Sequence, residues 1–125
     1  MPAGGLLEQL AAEKASRQQD GDTIAIEAVI QKSGVTFEAP QQTLGRAVLA
    51  LYCGMATSPD GFTITHCEYP TLEQAVRGAA EIKAIRGTTS GWSFKARKKS
   101  TLEVVARSDA KKESVDAVLT AFDAL

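Results

Sequence analysis

The residues best suited to metal or nucleophilic chemistry lie in the middle of the chain. His66 is the only histidine, Cys67 follows it directly, and Cys53 is the other cysteine. A zinc site takes several ligands at recognisable spacing, and the sequence offers neither a CxxC pair nor a second histidine. Neighbouring residues of a strand point to opposite faces, so His66 and Cys67 do not converge on one ion. The sequence therefore predicts no metal and no cofactor, a packed Cys67 and a half-exposed His66.

A cysteine–histidine nucleophile pair is the other chemistry that these positions suggest. Cys53 at the end of a helix and His66 on the next strand would meet in space, but no third group orients the base. Cofactor fingerprints and a nucleophile elbow are missing from the sequence. A free buried cysteine is the commoner case. We therefore expect a protein that is not an enzyme, with a small enzyme using a site near Cys53 and His66 as a weaker alternative.

The loop Gly-Thr-Thr-Ser-Gly at residues 87–91 superficially resembles a phosphate cradle. Phosphate loops precede a helix and aim its amino-terminal N–H groups at the anion. This loop instead follows a predicted helix, whose carboxyl end carries the wrong partial charge. We interpret it as a connection.

A basic hairpin is the most informative feature of the sequence. Its cations are Lys95, Arg97, Lys98 and Lys99, with Arg107 on the returning strand. Trp92 and Phe94 come just before them. Cations that neutralise phosphates, together with rings that stack on bases, are typical of nucleic-acid binding. This pattern predicts a nucleic-acid-binding surface as one function of the chain.

Two features of the same hairpin favour a different interpretation. A three-residue loop at residues 99–101 would place Ala96 opposite Val104 and Arg97 opposite Glu103. Trp92 and Phe94 would then share the apolar face of Leu102 and belong to the core. The cations would form a solvated edge that discourages pairing with other strands. Both interpretations stay open.

The elements that position these residues follow from hydrophobic periodicity. The chain has 125 residues and a formal net charge of −1, which suits one domain and excludes a strongly basic coat. The predicted elements are a helix at 6–17, a hairpin of 23–31 with 35–39, a buried helix at 43–53, a strand at 62–69, a helix capped by Thr71, a hairpin from Trp92, and a final helix.

This order, α-ββ-α-β-α-ββ-α, predicts an α+β fold within a single domain spanning 1–125. Strands with one wet face suggest a two-layer sandwich, in which helices cover one side of a mostly antiparallel sheet of about five strands.

The first helix is a second candidate binding element. Its apolar stripe comprises Leu6, Leu7 and Leu10, behind residues 1–5, which we expect to be loose. Such a stripe docks on its own domain or on a partner, and self-docking is the more common outcome.

Composition also suggests a compartment. Two cysteines are too few for a disulfide scaffold, and the sequence shows neither a secretory signal nor an apolar run long enough to span a membrane. We therefore expect reduced thiols, a cytoplasmic location and no membrane partner.

Taken together, these patterns favour a non-catalytic binding or adaptor module. It would bind a protein partner or a second copy of itself through a sheet face, a sheet edge or the first helix. Nucleic-acid binding by the basic hairpin is the leading alternative.

Overall fold

The structure is a computed structural model, which describes residues 5–18 and 20–125. The predicted loose segment at 1–5 lies outside the described residues except for Gly5. The helices are α1 (Leu6–Ala15), α2 (Ile26–Ser33), α3 (Leu72–Arg86) and α4 (Lys112–Ala124). The strands are β1 (Gln41–Thr43), β2 (Tyr52–Ser58), β3 (Phe62–Glu68), β4 (Trp92–Arg97) and β5 (Ser100–Ala106), with a short 3-10 helix at Arg46–Val48.

All five strands form one antiparallel sheet in the order β1-β2-β3-β5-β4. The predicted α+β fold with a mostly antiparallel sheet of about five strands is confirmed. The sheet ends at β1 on one side and at β4 on the other.

Helices α2 and α4 pack on one face of the sheet and form the main core with it. Val29 of α2 and Phe122 of α4 are completely buried against Ile64, Leu102 and Val104 of the central strands. These apolar side chains alternate along β3 and β5, which directs them all to the same side. We call this side the covered face.

Helix α3 packs on the opposite face, so the expected single helical layer holds for α2 and α4 but not for α3. Ala75 of α3 contacts a smaller buried cluster formed by Cys53, Cys67 and Tyr69. Gly78 lets the helix approach closely, because a Cβ there would lie 2.3 Å from the Tyr69 ring. Small residues on one side of α3 therefore allow a second layer over part of the sheet.

The first predicted hairpin is wrong, because Ile26–Ser33 forms α2. Ile26, Val29 and Ile30 fit helical spacing as well as the strand alternation that suggested β structure. The supposed turn at Ser33 and Gly34 is the end of this helix, where Gly34 adopts φ +69°.

The predicted helix at 43–53 is also wrong. This region contains the end of β1, the 3-10 helix and the start of β2. Strand β2 pairs on both sides, and Tyr52, Cys53 and Gly54 are all buried. A strand buried on both faces has the same continuous apolar run as a buried helix, so periodicity alone did not separate them.

The register of the last hairpin differs from the prediction by three residues, because Ala96 lies opposite Thr101 and not opposite Val104. Its loop contains two residues, Lys98 and Lys99, so Phe94 lies opposite Glu103 and Lys95 opposite Leu102. The predicted pairs Ala96–Val104 and Arg97–Glu103 do not form. Because side chains alternate along a strand, this shift turns Trp92 and Phe94 away from the main core.

Candidate protein-binding surface

The face of the sheet under α3 consists of three cross-strand rows. The row of Cys53, Cys67 and Thr101 is buried beneath the helix. The other two rows run across all four main strands. They are Met55–Thr65–Glu103–Phe94 and Thr57–Thr63–Val105–Trp92.

Every side chain in these two rows except Glu103 is at least partly exposed. We call this set the open sheet face, consisting of Met55, Thr57, Thr63, Thr65, Phe94, Trp92 and Val105. A shallow cavity of about 290 Å³ adjoins its outer row and is lined in part by Thr57, Thr63, Val105 and Arg107. The seven side chains of this face are therefore uncharged, and a recess with Arg107 in its lining adjoins one end.

Trp92 and Phe94 form a stacked aromatic pair at the β4 side of this face. Their ring centroids are 5.5 Å apart with an interplanar angle of 16°. The indole Nε1 of Trp92 donates a 3.2 Å hydrogen bond to Oε1 of Glu103. Because Glu103 is only 4% exposed, its carboxylate holds the indole in one orientation.

Helix α3 adds two cations to the aromatic pair. Arg86 Nε lies 3.5 Å from Glu103 Oε1, and the Lys83 ammonium lies 5.4 Å from the centre of the Phe94 ring. Arg86 compensates the charge of the buried carboxylate. Residues Leu72 and Val76, which are 58% and 70% exposed, share the Lys83 side of the helix by their spacing. This side of α3 therefore presents Lys83 to the Phe94 ring and carries two exposed apolar side chains farther along the helix.

Four of the five predicted nucleic-acid-binding residues lie in or near the β4–β5 turn, whereas Arg107 lies beyond the opposite end of β5, and three of the five contact carboxylates of the same chain. Lys95 Nζ lies 2.6 Å from Asp123, and Lys99 Nζ lies 2.6 Å from Asp20. Arg97 donates a 3.1 Å hydrogen bond to the backbone carbonyl of Leu125.

The other two predicted cations are more exposed. Arg107 makes a two-point contact with Asp109 on the surface. Lys98 is exposed at the turn, and no ion pair involves it within 5–18 and 20–125. The hairpin therefore presents far less uncompensated positive charge than its sequence suggests.

The two cysteines form a disulfide bond between directly opposed positions of β2 and β3. The expectation of reduced thiols is therefore wrong for this structure. The sequence does not predict this disulfide, because it predicts a helix at Cys53, and only the pairing of β2 with β3 places Cys53 opposite Cys67. Both cysteines are 1% exposed beneath α3, so the disulfide belongs to the packed interior.

His66 does not meet either cysteine, because its side chain points to the covered face and theirs to the face under α3. It is 1% exposed rather than half-exposed, and its Nε2 has no hydrogen-bond partner among the described residues. Burial lowers the pKa of His66 to about 3, and the nearby Arg17 acts in the same direction. The geometry thus separates the proposed nucleophile from its proposed base.

Helix α1 docks through polar groups and not through its apolar stripe. Leu6 and Leu7 are 59% and 81% exposed, and Leu10 is half-buried. The expected self-docking of this stripe is therefore wrong for Leu6 and Leu7. Glu13 instead accepts a 2.7 Å hydrogen bond from the backbone N–H of Gly45.

An ion pair that local sequence patterns do not reveal follows α1, with Glu68 buried and Arg17 partly buried. Arg17 donates to both oxygens of Glu68, with a shortest distance of 2.7 Å, and to Glu27 at 3.1 Å. Its guanidinium also lies 4.2 Å from the centre of the Tyr52 ring. Burial raises the pKa of the Glu68 carboxyl, while Arg17 acts in the opposite direction. Arg17 lies in a polar linker, where no spacing rule distinguishes a buried cation from a solvated one.

The described residues have two further properties. No group of three or more His, Cys, Asp or Glu side chains in this part of the chain is arranged to hold a metal ion. None of the helices there combines the length and apolar character needed to cross a membrane.

Comparison with known proteins gives no relative. No family model matches the chain, and no curated protein or solved structure is significantly similar to it.

Proposed function

We propose that this chain is a non-catalytic protein-binding module that binds a folded protein through the open sheet face. The observation that carries the proposal is the Trp92–Phe94 pair, which is held by Glu103 on a partly exposed surface. Rigid aromatic side chains dominate the energy of protein interfaces because little conformational freedom is lost when they bind. The adjacent recess offers a place for one apolar side chain of the partner.

The chemistry of the surface specifies the kind of partner. The only charged side chain in the two rows is Glu103, which Arg86 compensates. Thr57, Thr63 and Thr65 provide hydroxyl donors and acceptors without adding charge. A partner that matches this face has an uncharged, largely apolar surface with a few hydrogen-bonding groups.

Nucleic-acid binding by Lys95, Arg97, Lys98, Lys99 and Arg107 stays an alternative prediction. Its support is weaker than the sequence implied, since Lys95 and Lys99 contact carboxylates of the same chain. A salt titration decides it, because phosphate contacts release counterions and make affinity fall steeply with salt. No binding at low salt would remove this alternative. The exposed Leu6 and Leu7 are a further candidate contact for a protein partner.

The proposed partner surface is tested with a photoreactive amino acid at Thr63, in cells that express the chain naturally. A protein cross-linked at Thr63 is then purified and titrated against the chain by calorimetry. Thr65→Arg places a charge in the middle of the open sheet face. Thr120→Arg, on an exposed position of α4, is the matched control.

The proposal predicts that Thr65→Arg weakens binding of the purified partner at least about tenfold, because the new charge is desolvated at the interface. Thr120→Arg leaves the affinity unchanged. Equal binding of the partner by both variants would overturn the proposal. Cross-links that form from a photoreactive residue on α4 but not from one at Thr63 on β3 would overturn it as well.

The cytoplasmic location also stays a prediction, and its basis has changed. It depended on reduced thiols, whereas the structure contains a Cys53–Cys67 disulfide. Disulfides are typical of oxidising compartments. Thiol labelling of the chain in intact cells distinguishes the two states.

A further inference from the structure

The outer edge of β4 carries backbone groups that no strand within residues 5–18 and 20–125 pairs with. The sheet ends at β4, and the backbone N–H of Ala106 donates to the carbonyl of Gly91. Since antiparallel bonds recur at every second residue, Ser93 and Lys95 also bond towards β5. The backbone groups of Phe94 and Ala96 therefore point outwards.

The cations on this edge do not leave it strongly charged. Lys95 contacts Asp123 at 2.6 Å, and Arg97 donates to the Leu125 carbonyl at 3.1 Å. Both side chains lie on the covered side, beside α4. Charge on an edge strand normally discourages pairing with another chain, but here the nearest charges have intramolecular partners.

We propose that β4 pairs antiparallel with β4 of a second copy of this chain, with Phe94 opposite Phe94 of that copy. In this register Phe94 exchanges both of its outward backbone bonds with its counterpart. The N–H of Ala96 donates to the carbonyl of Trp92 in the other copy. The two sheets then join into one continuous sheet.

Side-chain size and charge both favour this register. It places the large Trp92 opposite the small Ala96, and both lie on the face of the aromatic pair. On the covered side it places Lys95 opposite Ser93. A shift by one step would bring Lys95 opposite Lys95, a like-charge pair that destabilises a sheet. Identical surfaces related by a two-fold axis close into a dimer and do not continue into a fibre.

This inference does not rest on the proposed function, because edge pairing leaves the open sheet faces of both copies uncovered. A dimer would place two such faces side by side and allow bivalent binding of a symmetric partner. Failure of dimerisation would leave the binding of a single partner untouched.

The test is the solution mass of the full chain over a concentration series, measured by sedimentation equilibrium. A single chain has a mass of 13.2 kDa, and we expect twice this value at high concentration. Ala96→Pro removes an outward N–H without breaking a β4–β5 bond, so we expect a monomer. Ala96→Thr retains that N–H and should remain dimeric.

A second variant keeps the test decisive if Ala96→Pro does not fold. Ala96→Arg, at an exposed position, introduces a bulky cation opposite Trp92 of the second copy and should shift the dimer dissociation constant at least tenfold. Ala84→Arg on exposed α3 is its control. A wild-type chain that is monomeric throughout the series would overturn the inference. A dimer that persists unchanged in Ala96→Arg would overturn it as well.

Discussion

The indole N–H of Trp92 donates to the buried carboxylate of Glu103, its diagonal neighbour across β4 and β5. Arg86 contacts the same carboxylate oxygen and helps to hold the carboxylate in place. The hydrogen bond from Trp92 to this fixed carboxylate then determines the orientation of the aromatic pair. Replacing Glu103 with Ala leaves the indole N–H without its acceptor and Arg86 without its ion-pair partner.

We predict that Glu103→Ala lowers the free energy of unfolding by about 1–3 kcal/mol, since the partly buried indole N–H loses its acceptor, whereas the half-exposed Arg86 is solvated by water. Glu103→Gln retains an acceptor for the indole and should cost about half as much. Urea denaturation followed by circular dichroism measures both. A Glu103→Ala variant as stable as the parent, with unchanged tryptophan emission, would show that this bond does not hold the pair.

Gly78 tests the packing of α3 on Tyr69. Alanine normally favours a helix over glycine by about 1 kcal/mol. A Cβ at Gly78 would lie 2.3 Å from the buried Tyr69 ring, so we expect Gly78→Ala to lose about 2 kcal/mol or more despite that gain. Gly21→Ala, where no atom lies within 4 Å of the new Cβ, is the control. Thermal denaturation measures the stability of the two variants. A Gly78→Ala variant more stable than the parent chain would contradict this packing.

The disulfide is expected to contribute strongly to stability. Cys53 and Cys67 are 14 positions apart, a loop for which chain entropy predicts about 3 kcal/mol of stabilisation. The double variant Cys53→Ala/Cys67→Ala should lose about that amount in urea denaturation, and added reductant should not weaken it further. Equal stability of the parent chain with and without reductant, after thiol titration confirms full reduction, would be incompatible with this expectation.

His66 gives the stability a defined pH dependence. The folded chain holds this histidine neutral, with a pKa lowered to about 3 by burial, whereas an unfolded histidine has a pKa of 6.5. Between these pH values the unfolded chain binds more protons than the folded chain. The contribution of neutral His66 to folding stability is therefore fully present above pH 6.5 and is lost as the pH falls towards 3.

The slope in this window approaches about 1.4 kcal/mol per pH unit. His66 is the only histidine, so His66→Phe should remove its contribution to the slope between pH 6.5 and 5, while Glu68, whose pKa is raised by burial, contributes with the opposite sign in both chains. Urea denaturation at several pH values measures it. The same slope in parent and variant would assign the effect to other groups.

Lys98 occupies the first position of the two-residue turn with φ +54°. This left-handed conformation favours glycine, which is the residue that type II′ hairpins prefer there. We predict that Lys98→Gly raises the free energy of unfolding by up to about 1 kcal/mol, since an L side chain there costs about 1–2 kcal/mol and glycine's extra freedom when unfolded offsets part of that. Lys98→Ala, which retains the Cβ, should show no such gain. Destabilisation by glycine would argue against this turn.

The sequence predicts the second half of the fold well and the first half poorly. Pro70 and Thr71 define the start of α3, where the Thr71 hydroxyl accepts a hydrogen bond from the backbone N–H of Gln74. Residues 23–58 contain Pro40 and Thr43 as well, but no α-helix follows them, and the apolar spacing there fits helix and strand equally well. The strand between Tyr52 and Ser58 is recognisable only after its partners on both sides are known.

The open sheet face was missed for a related reason. Its rows depend on the register of three strand pairs, and a loop length wrong by one residue reversed the faces of Trp92 and Phe94. Lys95 and Lys99 were correctly placed at the hairpin tip. Their partners, Asp123 and Asp20, lie far away in sequence, so local patterns did not reveal the compensation.

Trp92 is the only tryptophan, so fluorotryptophan labelling gives one fluorine signal that reports on the open sheet face. The decisive measurement is the change of this signal on titration with the partner identified by cross-linking at Thr63. The account predicts a shift that saturates at the calorimetric stoichiometry, together with reduced access of a soluble paramagnetic quencher to Trp92. A saturated complex in which the signal and its accessibility stay unchanged would contradict binding through this face.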